Sequence, residues 1–178
     1  IRPCIYCYIC VAQPFFDQKV RCAVNPVAAN EIEYADLLRS KTTNAKRVLV
    51  VGGGPSGLEA ASIAAMRGHD VILCEKSASL GGTLRFAALP YEPNESLLNY
   101  LETRIGKLPV DIRLQTEVTP EFIKELAPDV VLAAVGPRRE KSKIPGANRD
   151  HVFDGDTLRD LLTGEGSTEA EAQLSLTA

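Results

Sequence analysis

The stretch at residues 47–61, RVLVVGGGPSGLEAA, decides the fold of this 178-residue chain. It opens on a short apolar run rich in β-branched residues, which is typical of a buried parallel strand. Glycines follow at once, and after Pro55 small and apolar residues recur at helical spacing up to Gly68, where the helix should end. Residues 70–75, DVILCE, predict a second strand. The order strand, helix, strand predicts one βαβ unit with a right-handed crossover.

The glycine-rich turn of this unit has the spacing of a dinucleotide-binding site. Gly52, Gly54 and Gly57 form a G-x-G-x-x-G pattern between strand and helix. In that pattern the first glycine permits the tight turn, the second lets a diphosphate approach the helix N-terminus, and the third lets the helix pack closely. Glu75 ends the second strand, where a carboxylate binds the adenosine ribose and repels a 2′-phosphate, so the pattern favours FAD or NAD over NADP. Two structural alternatives stay open: the glycine turn can be an ordinary tight connection, and Glu75 can be a solvated carboxylate at the end of a strand.

Two weaker motifs favour FAD over NAD. Gly81-Gly82-Thr83 begins six residues after Glu75, and Ala133-Ala134-Val135-Gly136 ends a further apolar run. Both resemble motifs of flavoprotein reductases of the glutathione-reductase structural type, although Val135 departs from the usual threonine. The candidate cofactor-binding residues are Gly52, Gly54, Pro55, Ser56, Gly57, Glu75, Lys76, Gly82 and Thr83.

Four of the five cysteines lie within the first 22 residues, as Cys4, Cys7, Cys10 and Cys22. Three thiols at intervals of three residues can point from one winding loop to a single centre. The thiol of Cys22 then supplies the fourth ligand from the far end of a longer loop. This C-x2-C-x2-C-x11-C arrangement is typical of a [4Fe–4S] cluster. Zinc sites more often group their ligands in pairs, and disulfides are rare inside cells, but both stay open as alternatives. Cys74 lies apart and is predicted to be a small core residue.

These motifs divide the chain into four predicted parts. We expect loops and short turns around the cysteines at 1–30, a short helix and linker at 31–46, an α/β FAD/NAD(P)-binding Rossmann-like domain with a parallel sheet at 47–162, and a mobile tail at 163–178. Within the domain the patterns predict helices at 95–107, 120–126 and 156–162, a strand at 111–114, a buried strand at 129–135, and a loop with about one helical turn at 77–93. No residue is predicted to be a catalytic acid, base or nucleophile, and His69 and His151 are interpreted as turn or surface residues.

Composition excludes several classes of partner. The net charge is −3, the pI is about 5.5 and charges of both signs are mixed, so we expect no nucleic acid and no anionic membrane as partner. No apolar run approaches the ~20 residues of a membrane-spanning helix, and the first residues given do not have the pattern of a secretory signal, which would have to lie upstream. We therefore expect a cytoplasmic protein. Because the single methionine is Met66, we also expect further sequence before Ile1.

The order of cysteine segment, polar linker and RVLVVGGGPSGLEAA turn resembles the C-terminal part of the multidomain old yellow enzyme-like flavoproteins, the family of 2,4-dienoyl-CoA reductase and trimethylamine dehydrogenase. The resemblance covers about residues 1–162. It implies that the four clustered cysteines hold a [4Fe–4S] cluster and that the glycine turn and Glu75 bind the ADP portion of FAD. It also implies an FMN-binding (β/α)8 barrel upstream and a pyridine-nucleotide domain after the region 136–162, in a protein about four times larger. Tyr6 departs from the family, which usually has a small residue there.

The resemblance implies an oxidoreductase that relays electrons between NAD(P)H, FAD, the cluster and FMN in the barrel domain. In one alternative, the chain resembles the amine dehydrogenases of the family, which carry ADP in place of FAD and pass electrons outward to a protein acceptor. In another, it is a nucleotide-binding domain with a structural zinc site and no redox turnover.

Overall fold

The computed structural model describes residues 1–137, 143–149 and 152–163. The described helices are α1 (Ile9–Phe15), α2 (Glu31–Arg39), α3 (Pro55–Met66), α4 (Thr83–Ala88), α5 (Glu92–Ile105), α6 (Pro120–Leu126) and α7 (Gly155–Thr163). The described strands are β1 (Arg47–Val51), β2 (Asp70–Cys74), β3 (Val110–Arg113) and β4 (Val130–Ala133). The chain divides into two compact units, Ile1–Ala134 and Val135–Ala178. His151 lies outside the described residues, as does the predicted tail apart from Thr163.

The four strands form one parallel sheet in the order β3-β2-β1-β4. The predicted βαβ unit is present as β1, α3 and β2, and the register between its strands pairs Val51 with Cys74. The carboxyl ends of β1 and β2 therefore lie side by side, with the glycine turn directly beyond them. The prediction of an α/β Rossmann-like fold with a parallel sheet is confirmed.

Both faces of the central strands β1 and β2 are covered, as their apolar sequences require. Because side chains alternate along a strand, Val48 and Val50 of β1 point to one face and Leu49 to the other. The first face packs against α3 and α5, through Leu58, Ala61, Ala65, Leu97, Leu101 and Ile105. The second face, with Leu49, Ile72 and Cys74, packs against residues of α6 and its preceding loop.

Local signals set the helix ends. Thr119 caps α6, accepting a hydrogen bond of 3.2 Å from the Phe122 N–H, and Pro120 occupies the first turn, where its missing N–H costs nothing. The same tolerance lets α5 begin at Glu92, three residues earlier than predicted, with Pro93 in its first turn. The segment 77–93 also holds all of α4, a helix of six residues, which agrees with the prediction of a loop with about one helical turn there.

Two further predictions need correction. The first 30 residues contain the helix α1 as well as loops; Gln13 is its one buried residue, whereas Ile9, Val11 and Phe15 are exposed, so the helix does not show the pattern of one buried apolar face. The strand predicted as buried at 129–135 is β4, whose Val131 and Leu132 are 40% and 38% exposed. In the described part of the chain β4 pairs with β1 alone, and an edge strand leaves part of its apolar surface open.

The second unit contains α7, close to the predicted helix at 156–162. Asp154 stabilises its start, because the Oδ1 atom accepts hydrogen bonds from the Asp156 and Thr157 N–H groups at 3.1 and 2.8 Å. None of the described helices has the length and apolar character needed to cross a membrane.

Candidate functional site

The glycine turn joins β1 to α3 by close backbone packing. Gly52 has a φ of 106°, which favours glycine, and its N–H donates to the Cys74 carbonyl at 2.8 Å. A Cβ on Gly57 would lie 1.8 Å from the Gly52 carbonyl oxygen, so no other residue fits between turn and helix. Both glycines therefore have the packing roles that the sequence predicts for them.

Gly54 is the open position of the turn. Its backbone is extended, with φ −72° and ψ 179°, and a Cβ added there would meet no described atom within 4 Å. It is the N-cap of α3, and no side chain caps the helix. The amides of the first turn and the positive end of the helix dipole therefore face a space that a diphosphate can approach. Ser56 lies exposed in this turn of the helix, after Pro55.

Glu75 lies beneath the turn and is 6% exposed. Its Oε2 accepts a hydrogen bond of 2.5 Å from the Gly53 N–H, and its Oε1 accepts from the N–H and Oγ–H of Ser77, both at 2.9 Å. The carboxylate thus ties the end of β2 to the turn, a contact that sequence reasoning missed. A carboxylate offers about four lone-pair sites, and these bonds from the described residues occupy three of them, which leaves one for a ribose hydroxyl. Lys76 follows on the exposed side.

The second glycine pair lies beside the first turn. The Gly81 N–H donates to the Gly53 carbonyl at 2.9 Å, and a Cβ on Gly82 would lie 3.2 Å from the Gly54 Cα. Gly82 has a φ of 51°, and Thr83 begins α4 in an exposed position. The structure therefore brings the two predicted glycine motifs together around Gly54.

The end of β4 borders the same turn. The Ala134 N–H donates to the Val51 carbonyl at 2.8 Å, and the Ala134 Cβ lies 3.4 Å from the position that a Gly57 Cβ would take. Open space at Gly54, a helix N-terminus and a buried carboxylate are the features that fit an adenine dinucleotide.

The predicted cluster ligands are free thiols. Cys4, Cys7 and Cys10 are exposed and Cys22 is partly exposed. The Tyr6 N–H donates to the Cys4 sulfur at 3.3 Å, and Tyr6 itself has a φ of 52°. Within the described residues, however, no three histidine, cysteine, aspartate or glutamate side chains lie close enough together to hold a metal ion. The donor set fits an iron–sulfur cluster in its chemistry, while the structure does not assemble it.

The remaining candidates have structural positions. Cys74 is 1% exposed, and burial raises the pKa of its thiol, with Arg113 lowering and Asp111 raising it further. That position confirms the prediction of a small core residue. The Nδ1 atom of His69 accepts a hydrogen bond of 3.2 Å from the Lys46 N–H, which ties the linker to the loop before β2.

Comparison with known proteins agrees with this geometry. The model of the family described as FAD dependent oxidoreductase matches residues 47–164. The chain belongs to this family of FAD-dependent oxidoreductases. It is 36% identical over 180 residues to an NADH oxidase of Thermoanaerobacter brockii, covering 98% of the chain and 27% of that protein. It is 34% identical to a multifunctional alkene reductase/demethylase OYE of Caballeronia cordobensis, covering 93% of the chain and 24% of that protein.

Among solved structures, the chain is similar to 2-naphthoyl-CoA reductase in complex with 2-naphthoyl-CoA. The TM-score is 0.75 with 37% identity, covering 86% of this chain and 23% of the other. The resemblance to old yellow enzyme-like flavoproteins is confirmed, as is the expectation of an oxidoreductase. The chain spans about a quarter of the length of the curated relatives it matches.

Proposed function

We propose that the chain is the FAD-binding and electron-transfer part of an iron–sulfur flavoprotein oxidoreductase of the NADH:flavin oxidoreductase/2,4-dienoyl-CoA reductase type. The observation that carries the proposal is the open backbone position at Gly54, which lies beside Gly82 and above the buried Glu75. This position and the four-cysteine segment belong to the same compact unit. In the whole protein, electrons would pass between NAD(P)H, FAD, a [4Fe–4S] cluster and FMN in an upstream barrel domain.

The chain's own residues have distinct tasks toward the dinucleotide. The amides at the start of α3 and the exposed Ser56 hydroxyl bind the diphosphate, and the missing side chain of Gly54 lets it approach. Glu75 accepts from the ribose while its bond to Gly53 keeps the turn in place. Gly82, Thr83 and Lys76 border the same opening. FAD, when bound, supplies the exchange between two-electron and one-electron transfer, and the protein supplies position and electrostatics.

In this proposal Cys4, Cys7, Cys10 and Cys22 ligate the cluster. Metal sites are seldom preformed in the absence of their ions, because binding and local folding are coupled. Three exposed thiols on a segment with several left-handed residues are free to close around iron and sulfide. Free cysteines also agree with a cytoplasmic location, where thiols stay reduced. A nicotinamide nucleotide and the upstream barrel domain are the proposed partners.

Anaerobic purification followed by metal and nucleotide analysis tests the proposal. We expect about four irons and four sulfides per chain, visible absorbance that dithionite bleaches, and FAD released on denaturation. Release of ADP would favour the amine-dehydrogenase alternative, and one zinc without iron would contradict the cluster. C7S should lose the iron while the matched control C74S retains it, because Cys74 is a core residue of the sheet. Full iron in C7S would contradict the ligand assignment.

A further inference from the structure

A carboxylate on α3 holds the cysteine segment against the domain. Arg2, two residues before Cys4, donates from Nη2 to both oxygens of Glu59, at 3.0 and 3.1 Å. Arg104 of α5 donates from Nη1 to the Glu59 Oε2 at 2.7 Å. The three side chains are only 13% (Arg2), 22% (Glu59) and 16% (Arg104) exposed. In such surroundings charge-assisted hydrogen bonds are stronger than in open solvent.

The other contacts of the segment lie at the two ends of the cysteine loop. Arg2 also donates from Nη1 to the Val24 carbonyl, and its guanidinium lies 5.3 Å from the centre of the Tyr100 ring. Ile5 and Val24 pack against the main core, and the Tyr91 hydroxyl donates to the Ile5 carbonyl at 3.2 Å. The anchored residues thus flank Cys4 and Cys22, whereas Cys7 and Cys10 lie on the exposed part of the loop.

Glu59 connects this anchor to the dinucleotide turn through one helix. It lies four residues after Pro55, so a single helical turn separates it from the start of α3. We propose that Glu59 is a positioning residue, which fixes the cysteine site at one distance from the dinucleotide site by binding Arg2. The inference rests on the proposed function, because it takes the two sites to bind a cluster and a nucleotide. Removing the carboxylate leaves Arg2 and Arg104 facing each other, so the segment should detach from α3.

Amide hydrogen exchange on the chain tests the anchor without any cofactor. In E59Q, exchange within residues 1–24 should be about tenfold faster than in the unaltered chain, because local opening is no longer opposed by the ion pairs. The matched control is E102Q, which removes the 2.7 Å ion pair with Arg85 between α4 and α5 and should leave exchange in 1–24 unchanged. R2K keeps the charge, but one ammonium group cannot replace both guanidinium nitrogens, Nη2 at Glu59 and Nη1 at the Val24 carbonyl. Residue 2 lies outside the α3 core, and R2K should also accelerate exchange. Equal exchange in E59Q, R2K and the unaltered chain would overturn the inference.

A distance measurement tests the positioning role itself. A spin-labelled ADP analogue bound to the chain, with the cluster reconstituted from iron and sulfide and then reduced, reports the separation of the two sites through relaxation enhancement. We expect one narrow distance distribution in the unaltered chain and E102Q, a broad one in E59Q, and partial narrowing in E59D. A narrow distribution in E59Q would refute the positioning role. If no cluster forms or no nucleotide binds, the proposed function fails, and the exchange experiment still decides the anchor.

Discussion

Replacing Gly57 by alanine tests the packing of the glycine turn, and Gly54 offers a matched control. The new Cβ would lie 1.8 Å from the Gly52 carbonyl oxygen, whereas ordinary contact begins near 3.4 Å, so the two atoms must separate by about 1.6 Å. The obstacle is backbone, which no rotamer change relieves. Overpacking costs roughly 1–3 kcal/mol or more, and alanine returns about 1 kcal/mol in helix propensity. We expect G57A to lower the free energy of unfolding by about 2 kcal/mol, or roughly 4–8 °C in Tm for a chain of this size.

G54A should affect nucleotide binding more than stability. Its backbone is extended and its Cβ position is open, so the free energy of unfolding should fall by about 1 kcal/mol or less, the cost of alanine at an N-cap. The methyl group would occupy the approach to the amides of α3, so affinity for ADP should fall by at least about tenfold. Urea unfolding and titration calorimetry with ADP measure the two quantities. The reasoning would be refuted by G57A unfolding within about 0.5 kcal/mol of the unaltered chain, or by G54A binding ADP with unchanged affinity.

Substitutions at three further positions have expected outcomes. Y6G should raise the free energy of unfolding by about 0.5 kcal/mol in urea titration, because Tyr6 has a φ of 52°, whereas Y6A should give no gain. S62A should stabilise by about 1 kcal/mol in the same assay, because the Ser62 Oγ is buried without a hydrogen-bond partner among the described residues; a loss would reveal a bond there. Burial raises the pKa of Cys74, so the folded state favours the neutral thiol, and stability should fall as pH rises above the ordinary thiol value of about 8.5. C74A should show a weaker alkaline decline between pH 8 and 10, and an identical decline would exclude Cys74 as its source.

The βαβ unit could be predicted almost residue by residue, because its signals are local. A strand of five residues, a turn that needs glycine at Gly52 and Gly57, and a helix that ends before Gly68 are all determined by neighbouring residues. The helix α1 could not be predicted, and α4 could be predicted only as about one helical turn, because they bury one residue and none respectively. Helices of six or seven residues are too short to show a clear helical period in the sequence.

Contacts between distant residues set the rest of the site. Glu75 was placed correctly at the end of β2, but its bond to Gly53 depends on the register that pairs Val51 with Cys74. That register depends on the packing of α3 across both strands, so it cannot be predicted from the sequence of either strand alone. The ion pair between Arg2 and Glu59 joins residues 57 positions apart, and no local sequence pattern predicts it.

The composition of α3 follows from the number of neighbouring segments that this helix contacts. Leu58, Ala61 and Ala65 face the sheet, Gly57 meets the turn, and Glu59 faces the cysteine segment. A helix packed on more than one side needs small or apolar residues around most of its circumference, which is why its sequence shows little amphipathic contrast. The roles of α3 in the turn, the nucleotide site and the anchor can be measured separately. G57A tests the turn through stability, G54A tests the nucleotide site through affinity, and E59Q tests the anchor through amide exchange. If all three variants changed all three quantities in parallel, α3 would act only through general packing, and the separate assignment of turn, nucleotide site and anchor would be wrong.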